Sequence, residues 1–197
     1  MTFNDLCTYP GCINLKLSNF DYCINHIPEK EKIQEAIERE ITMKPSLSES
    51  RANGLFVDTR SWARKKFTCC TFLNSQFKNV DFSETKLRMC IFDFSTFENC
   101  NFKKSDIQFS SFAGSQFINC DFTGSDILQT NFNDITAKET NFNDSDLYNS
   151  SFIQAKLSNT MFRNCNLKKT VFIRDFEEQV SFKFSNTREA IFNQEDI

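Results

Sequence analysis

The sequence predicts a mainly β solenoid, a four-sided coil that takes twenty residues per turn. Three observations predict it. Large apolar residues recur at every fifth position from Phe67 to Phe172, and small residues stand two places before them. Reading every twentieth residue then gives columns of one kind, such as Phe72, Phe92, Phe112, Phe132, Phe152 and Phe172. A helix repeats its buried face every 3.6 residues and a strand every 2, so a spacing of five fits neither. Self-similarity at a fixed period is the mark of stacked architecture.

The chain has 197 residues and a formal charge of -3, which gives no global pull toward nucleic acid or an anionic membrane. Its odd feature is 24 Phe against 3 Tyr, 1 Trp and 4 Gly, a bias expected of residues repeated in one structural role. Met1 to Leu6 lacks the basic start and apolar run of a signal peptide. No stretch approaches the ~18 consecutive apolar residues of a membrane span. Without an export signal, the nine Cys read as reduced thiols and metal ligands, so the expected compartment is the cytoplasm.

Residues 1–45 read as a small module. Cys7, Cys12, Cys23 and His26 stand at a spacing of C-x4-C-x10-C-x2-H and include the sole histidine. Three thiolates and one imidazole suit tetrahedral, structural zinc, which a segment too short for a core would need. The "YPGC" stretch supplies a turn, and "YCINH" resembles the second half of a short zinc knuckle. A redox cluster and an incidental grouping are the competing readings. Four protein ligands leave no position for a catalytic water. Lys16, Lys30 and Lys32 are offset by Asp5, Asp21, Glu29 and Glu31, so a phosphate-binding patch is poorly supported.

Pro28 to Met43 reads as a helix, with proline and acidic residues in its first turn. Ile33, Ala36, Ile37 and Ile41 form its narrow apolar stripe. The knuckle, the rod or a second copy of the chain, as in a homodimer, could cover that stripe; packing within the chain is the expectation. Residues 46–64, with Pro45 and "SLSES" at their start, read as linker and N-terminal cap.

Residues 65–172 carry the repeat. Stepping by five from Phe67 visits 22 positions: fifteen Phe, four Leu, two Ile and Ala137. Ala137 is too small for its slot, but Ile135 fills the small slot before it, which conserves inward volume and implies that both slots face one interior. Cys70, Cys90, Cys100, Cys120 and Cys165 take small slots and read as apolar core residues, although Cys70–Cys90 and Cys100–Cys120 would stack closely enough for a disulfide. After Phe172 the register weakens, with Glu177 and Thr187 in large slots, so residues 173–197 read as a last coil and cap.

"CDFTG" and "SDILQ" give the pattern its clearest form, and here the chain resembles the pentapeptide-repeat family over 65–172. The resemblance implies a right-handed, four-sided parallel β-helix. Coils at the strand spacing of ~4.8 Å make 65–172 a rod roughly 26 Å long. It also implies a candidate function, because the family's quinolone-resistance members are acidic rods that imitate DNA and bind gyrase. Asp106, Asp126 and Asp146 would form an acidic stripe on such a rod. Residues 65–172 hold 11 acidic and 12 basic residues, however, which is unlike DNA.

Cys69, Met89 and Phe109 fall in one outward column, with Ile91 and Phe94 nearby. Solvent does not favour such a cluster. It is either covered by Leu55 to Trp62 or the helix, or it docks a partner. No nucleophile–base pair, phosphate loop or open metal position appears. The sequence therefore predicts a non-enzymatic protein-interaction scaffold with a structural zinc module. A DNA mimic acting on gyrase or topoisomerase is the alternative, and a membrane or nucleic-acid partner is not expected.

Overall fold

The computed structural model describes residues 5–193, apart from the side chains at 174–177. Residues 1–4, residues 194–197 of the expected cap and the Glu177 side chain lie outside this description. From Ser46 onward the chain winds as a parallel β-solenoid. One five-stranded sheet runs from Ser46–Ser48 through Lys66–Thr68, Lys86–Arg88 and Asp106–Gln108 to Asp126–Leu128. A seven-stranded sheet begins at Phe56–Asp58, continues at Gln76–Lys78 and ends at Arg174–Glu178. Every pair is parallel, and partners such as Phe67 and Leu87, or Phe97 and Phe117, differ by one twenty-residue turn. The other two sides are held by single bridges, for example Thr71 to Ile91 and Asp81 to Asn101.

Both predicted slots face the interior. Phe72, Phe92, Phe112 and Phe132 are fully buried, and their rings stack at 4.9, 5.0 and 5.2 Å between centroids. Neighbouring columns meet edge to face, as Phe117 meets Phe122 at 5.5 Å. Offset stacking and edge contacts are the arrangements aromatic quadrupoles favour. Ile135 and Ala137 are both fully buried, so the exchange of large and small occurs within one core.

The small slot has a role beyond size. Ser95 Oγ accepts the Ser75 N–H at 3.0 Å and donates to the Phe72 carbonyl at 2.9 Å. Ser125 does the same between Ser105 and Phe102. Each inward hydroxyl is thus satisfied while buried, which removes the cost of an unpaired polar group. The thiols of Cys100 and Cys120 donate to the equivalent carbonyls, both at 3.4 Å, which explains why Ser, Thr and Cys interchange there. All nine cysteines are free.

The rod starts one turn earlier than the repeat suggested. Residues 46–64, expected as linker and cap, form the first coil: Leu47 pairs with Phe67 and Val57 with Phe77. Trp62 is fully buried among Phe67, Phe72, Phe77 and Phe82 at 5.4–5.9 Å. This coil escapes the pattern because Ala52 and Val57 occupy large slots while Leu55 and Arg60 occupy small ones. At the far end the core outlasts the pattern. Phe182 stacks on Phe162, and Phe192 on Phe172.

Capping falls to the N-terminal module instead. Helix α1 spans Lys30–Met43. Ile41 is buried in the rod's core, while Ile33 and Ile37 pack on a second cluster formed by Leu17, Ile24 and Ile27. The stripe is thus covered within the chain. Ala36 is exposed, in contrast to its expected place on that stripe. The buried acid Glu38 faces the first coil instead, 3.3 Å from Arg60. Gln34 adds a donor to the Phe56 carbonyl at 2.7 Å.

Candidate functional site

The metal-ligand candidates are assembled by local turns. Tyr9–Pro10–Gly11–Cys12 closes with the Cys12 N–H on the Tyr9 carbonyl at 3.0 Å, and Gly11 takes the φ of +77° that such a turn requires. A bridge between Leu6 and Leu15 brings Cys7 beside this turn. The His26 N–H bonds the Cys23 carbonyl at 3.0 Å, which folds C-x2-H back on itself.

The donor atoms of Cys7, Cys12, Cys23 and His26 all lie within 4.8 Å of one another. Cys12 Sγ and Cys23 Sγ are 3.9 Å apart, and His26 Nδ1 is 3.5 Å from both Cys7 Sγ and Cys23 Sγ. Tetrahedral zinc, with bonds of ~2.3 Å to sulfur and ~2.05 Å to nitrogen, sets S–S edges of ~3.8 Å and S–N edges of ~3.6 Å. The three short distances match these edges, so the four side chains are compatible with a metal site. They would fill a zinc ion's coordination shell and hold the ion as a cross-link.

Neighbours fix this geometry. The Tyr9 ring stacks on His26 at 4.0 Å with 13° between planes, and Asn14 Nδ2 lies 3.9 Å from Cys23 Sγ. Such outer contacts orient ligands. Burial pushes the Cys7 thiol up, but the backbone amides of Cys23 and Tyr9 and the His26 ring outweigh it and hold the group at about 6. A thiolate near neutral pH is the form that binds metal.

The module is locked to the first coil. Ser18 exchanges two hydrogen bonds with the Arg51 backbone, at 3.0 and 2.7 Å, and Asp5 pairs with the Arg51 guanidinium at 2.8 Å. Ile24 lies against Gly54, where a Cβ would meet its Cγ2 at 2.4 Å and where φ is +72°. Only glycine fits both the conformation and the contact.

On the rod, the apolar cluster is uncovered. Met89, Phe94 and Phe109 are 53%, 66% and 55% exposed; Cys69 is exposed and Ile91 half-buried. The expected cover is absent for a physical reason. Leu55, Val57 and Trp62 are consumed by the first coil's interior, and α1 is spent on that coil's end. Cys69, Met89, Phe94 and Phe109 also sit at corners with left-handed φ of 53–59°. Neighbouring corners there carry Asn74, Asn79 and Asn99, the residue type that tolerates this region.

Asp106, Asp126 and Asp146 stack in register as expected, but their column begins with Lys66 and Lys86. Asp106 pairs with Arg88, and Asp146 accepts from Asn166 Nδ2 at 3.0 Å. The stripe is one part of a mixed column.

The model for pentapeptide repeats matches in eight copies over residues 75–108, 100–136 and 130–168. The chain belongs to the pentapeptide-repeat family. Among solved structures, the pentapeptide repeat protein Rfr23 from the cyanobacterium Cyanothece 51142 aligns at TM-score 0.56 and 11% identity, covering 66% of this chain and 99% of its own. QnrB1, a plasmid-mediated fluoroquinolone resistance protein, aligns at TM-score 0.33 and 20% identity, covering 73% and 79%. HetL, a pentapeptide repeat protein involved in heterocyst differentiation regulation from Nostoc sp. strain PCC 7120, aligns at 0.28 and 10%, covering 81% and 96%. At these identities the likeness to Rfr23 shows a shared fold, and a fold does not fix function. No curated protein sequence matches this chain. Among the described residues, no helix is long and apolar enough to cross a membrane.

Proposed function

We propose that this pentapeptide-repeat protein is a non-enzymatic interaction scaffold, a rigid rod whose N-terminal module holds structural zinc through Cys7, Cys12, Cys23 and His26. The observation that carries the reading is the uncovered apolar cluster of Met89, Ile91, Phe94 and Phe109. Its side chains sit on a rod bonded coil to coil, so a partner meets them without ordering a loop first. The zinc reading rests on the fit of the donor distances to a closed tetrahedron, and the six remaining cysteines, none of them in a disulfide, favour a reducing compartment such as the cytoplasm. The mixed charge of the Lys66-to-Asp146 column gives a DNA mimic no support.

The test is affinity capture from the source cell with intact protein and with a Met89→Asp, Phe109→Asp double variant. The expected result is a specific protein retained by the first and lost by the second, at unchanged stability. Equal capture by both, or no specific capture by either, overturns the docking role. Metal analysis of freshly reduced protein should return one equivalent of zinc, and less than half an equivalent overturns the metal assignment.

A further inference from the structure

Where the knuckle meets the rod there is an open groove of about 420 Å³. Leu6, Ile13, Leu15 and Ile24 line it from the knuckle, and Gly54, Leu73 and Asn74 from the first two coils. Among the described residues, none of those lining the groove is charged. Its polar groups are asparagines, and one of them, Asn53, has a buried Nδ2 without a hydrogen-bond partner. Its Oδ1 accepts the Leu73 N–H at 2.8 Å, which ties the first coil to the second beside the groove.

The N–H of Gly54 bonds Leu73, that of Asn74 bonds Asp93 and that of Phe94 bonds Ala113, so Gly54, Asn74, Phe94 and Gly114 climb one corner, a coil at a time. The Phe94 ring lies over Gly114, where a Cβ would come within 2.7 Å of it. This glycine makes room for the ring, and Phe94, 66% exposed, stands on the same corner one coil beyond Asn74.

The side that the groove opens onto carries few charges beyond the first coil. The first-coil stretch 49–54 holds Glu49 and Arg51, the latter paired with Asp5, and the stacked stretches 69–74, 89–94 and 109–114 contain one charged residue, Asp93. Its carboxylate is occupied by Ser111 Oγ and by the Ala113 N–H at 2.9 Å. The opposite side carries Asp81, Glu84, Lys103, Lys104 and Asp121, and the two sheets carry Lys66, Lys86, Arg88, Lys78 and Glu98. Surface residues are ordinarily mixed in charge. A surface whose solvation relies on amides and hydroxyls, and which also exposes Ile13 at 85%, disfavours a charged occupant, because each charge would lose water and find no counter-ion.

We infer that the knuckle and rod together form one docking channel, from Ile13 past Leu73 to Phe94, for an uncharged, apolar peptide segment of a partner protein. The inference rests on the docking role proposed above and extends it. The partner is read jointly by the metal module and the repeat. Cys23 and Ile24 form part of the knuckle wall, so the zinc centre holds the channel in shape.

The experiment selects random twelve-residue peptides, displayed on phage, against immobilised zinc-loaded full-length protein. Enriched peptides are then measured by fluorescence anisotropy on wild type, Ile13→Asp, Phe94→Asp and Asn53→Leu proteins, each checked for zinc content and unfolding midpoint. Ile13 and Phe94 are mostly exposed, so their variants fold. The expected result is enrichment of uncharged, apolar-rich peptides whose binding weakens at least tenfold in both Asp variants, and more modestly in Asn53→Leu. Enrichment of acidic or basic peptides overturns the inference, as does failure to enrich any peptide. Peptides that lose affinity in Met89→Asp, Phe109→Asp protein but not in Ile13→Asp protein overturn the joint channel while leaving the docking cluster intact. Capture by the double variant reports separately on that wider reading.

Discussion

The rod and the knuckle solve the same problem in opposite ways. A twenty-residue coil cannot bury its own apolar side chains, but the coils above and below it can, so each Phe column is sealed by repetition. The knuckle has no neighbour of its kind. Its apolar cluster is three buried residues, Leu17, Ile24 and Ile27, with Phe20, Ile33 and Ile37 packed against them, and Tyr9 and Ile13 stay exposed. So few contacts offset little of the chain entropy of ordering the segment, and this is where the proposed metal cross-link would contribute. One region is stabilised by many equivalent increments, the other, on the reading proposed above, by a single centre.

Loss of the metal should separate the two regions most widely. Cys23→Ser should abolish stoichiometric zinc and collapse amide-exchange protection across residues 5–27, while protection within 85–165 survives. A loss of protection shared equally by both regions would show that they form one cooperative unit. Trp62, the sole tryptophan and a core residue of the first coil, should report the lost cover as a change in its fluorescence.

Within the rod, Phe117→Ala should cost about 3–5 kcal/mol, since it removes a ring stacked on Phe97 and leaves a cavity between fixed coils. Phe94→Ala changes the same residue type on the surface and should stay within about 0.5 kcal/mol of wild type. Urea midpoints of the two variants measure the difference, and similar losses would mean that Phe94 belongs to the core.

Ser95→Ala is expected to cost about 1–3 kcal/mol, because it leaves the Ser75 N–H buried and unpaired. Ser95→Cys should recover part of that loss, as the thiols at Cys100 and Cys120 bond the equivalent carbonyls. Smallest of all, Phe109→Asn should stabilise the fold by roughly 1 kcal/mol by relieving a left-handed corner. Its thermal midpoint decides, and a drop would show that the exposed ring contributes to folding.

Much of this was legible in the residues. The spacing of Phe, Leu and Ile locates the interior without any structure, because the five-residue side of the coil writes its period directly into the chain. Ile135 and Ala137 show how far that logic reaches: their exchange makes sense only if the two slots share one volume. The candidate metal ligands were legible too, since few residue types bind zinc and all four lie within one short segment. The first coil was hidden because Trp62, Val57 and Ala52 do not resemble the later slots. The hydroxyl ladder was seen only as smallness, since a hydrogen bond across twenty residues leaves no local signature. Ala36 left its expected place on the stripe, and Glu38 became buried, because the helix meets two surfaces at once.

By itself, then, the sequence determined the period, the inward residues and the candidate metal ligands, all of which follow from chemistry repeated or clustered along the chain. The tertiary structure alone decided which surfaces remain free. Whether Met89 and Phe109 are covered depends on where α1 lands, and whether Ile13, Leu73 and Phe94 share one channel depends on how the knuckle seats against Gly54. Those are contacts between distant segments, and no periodicity in one of them carries information about the other.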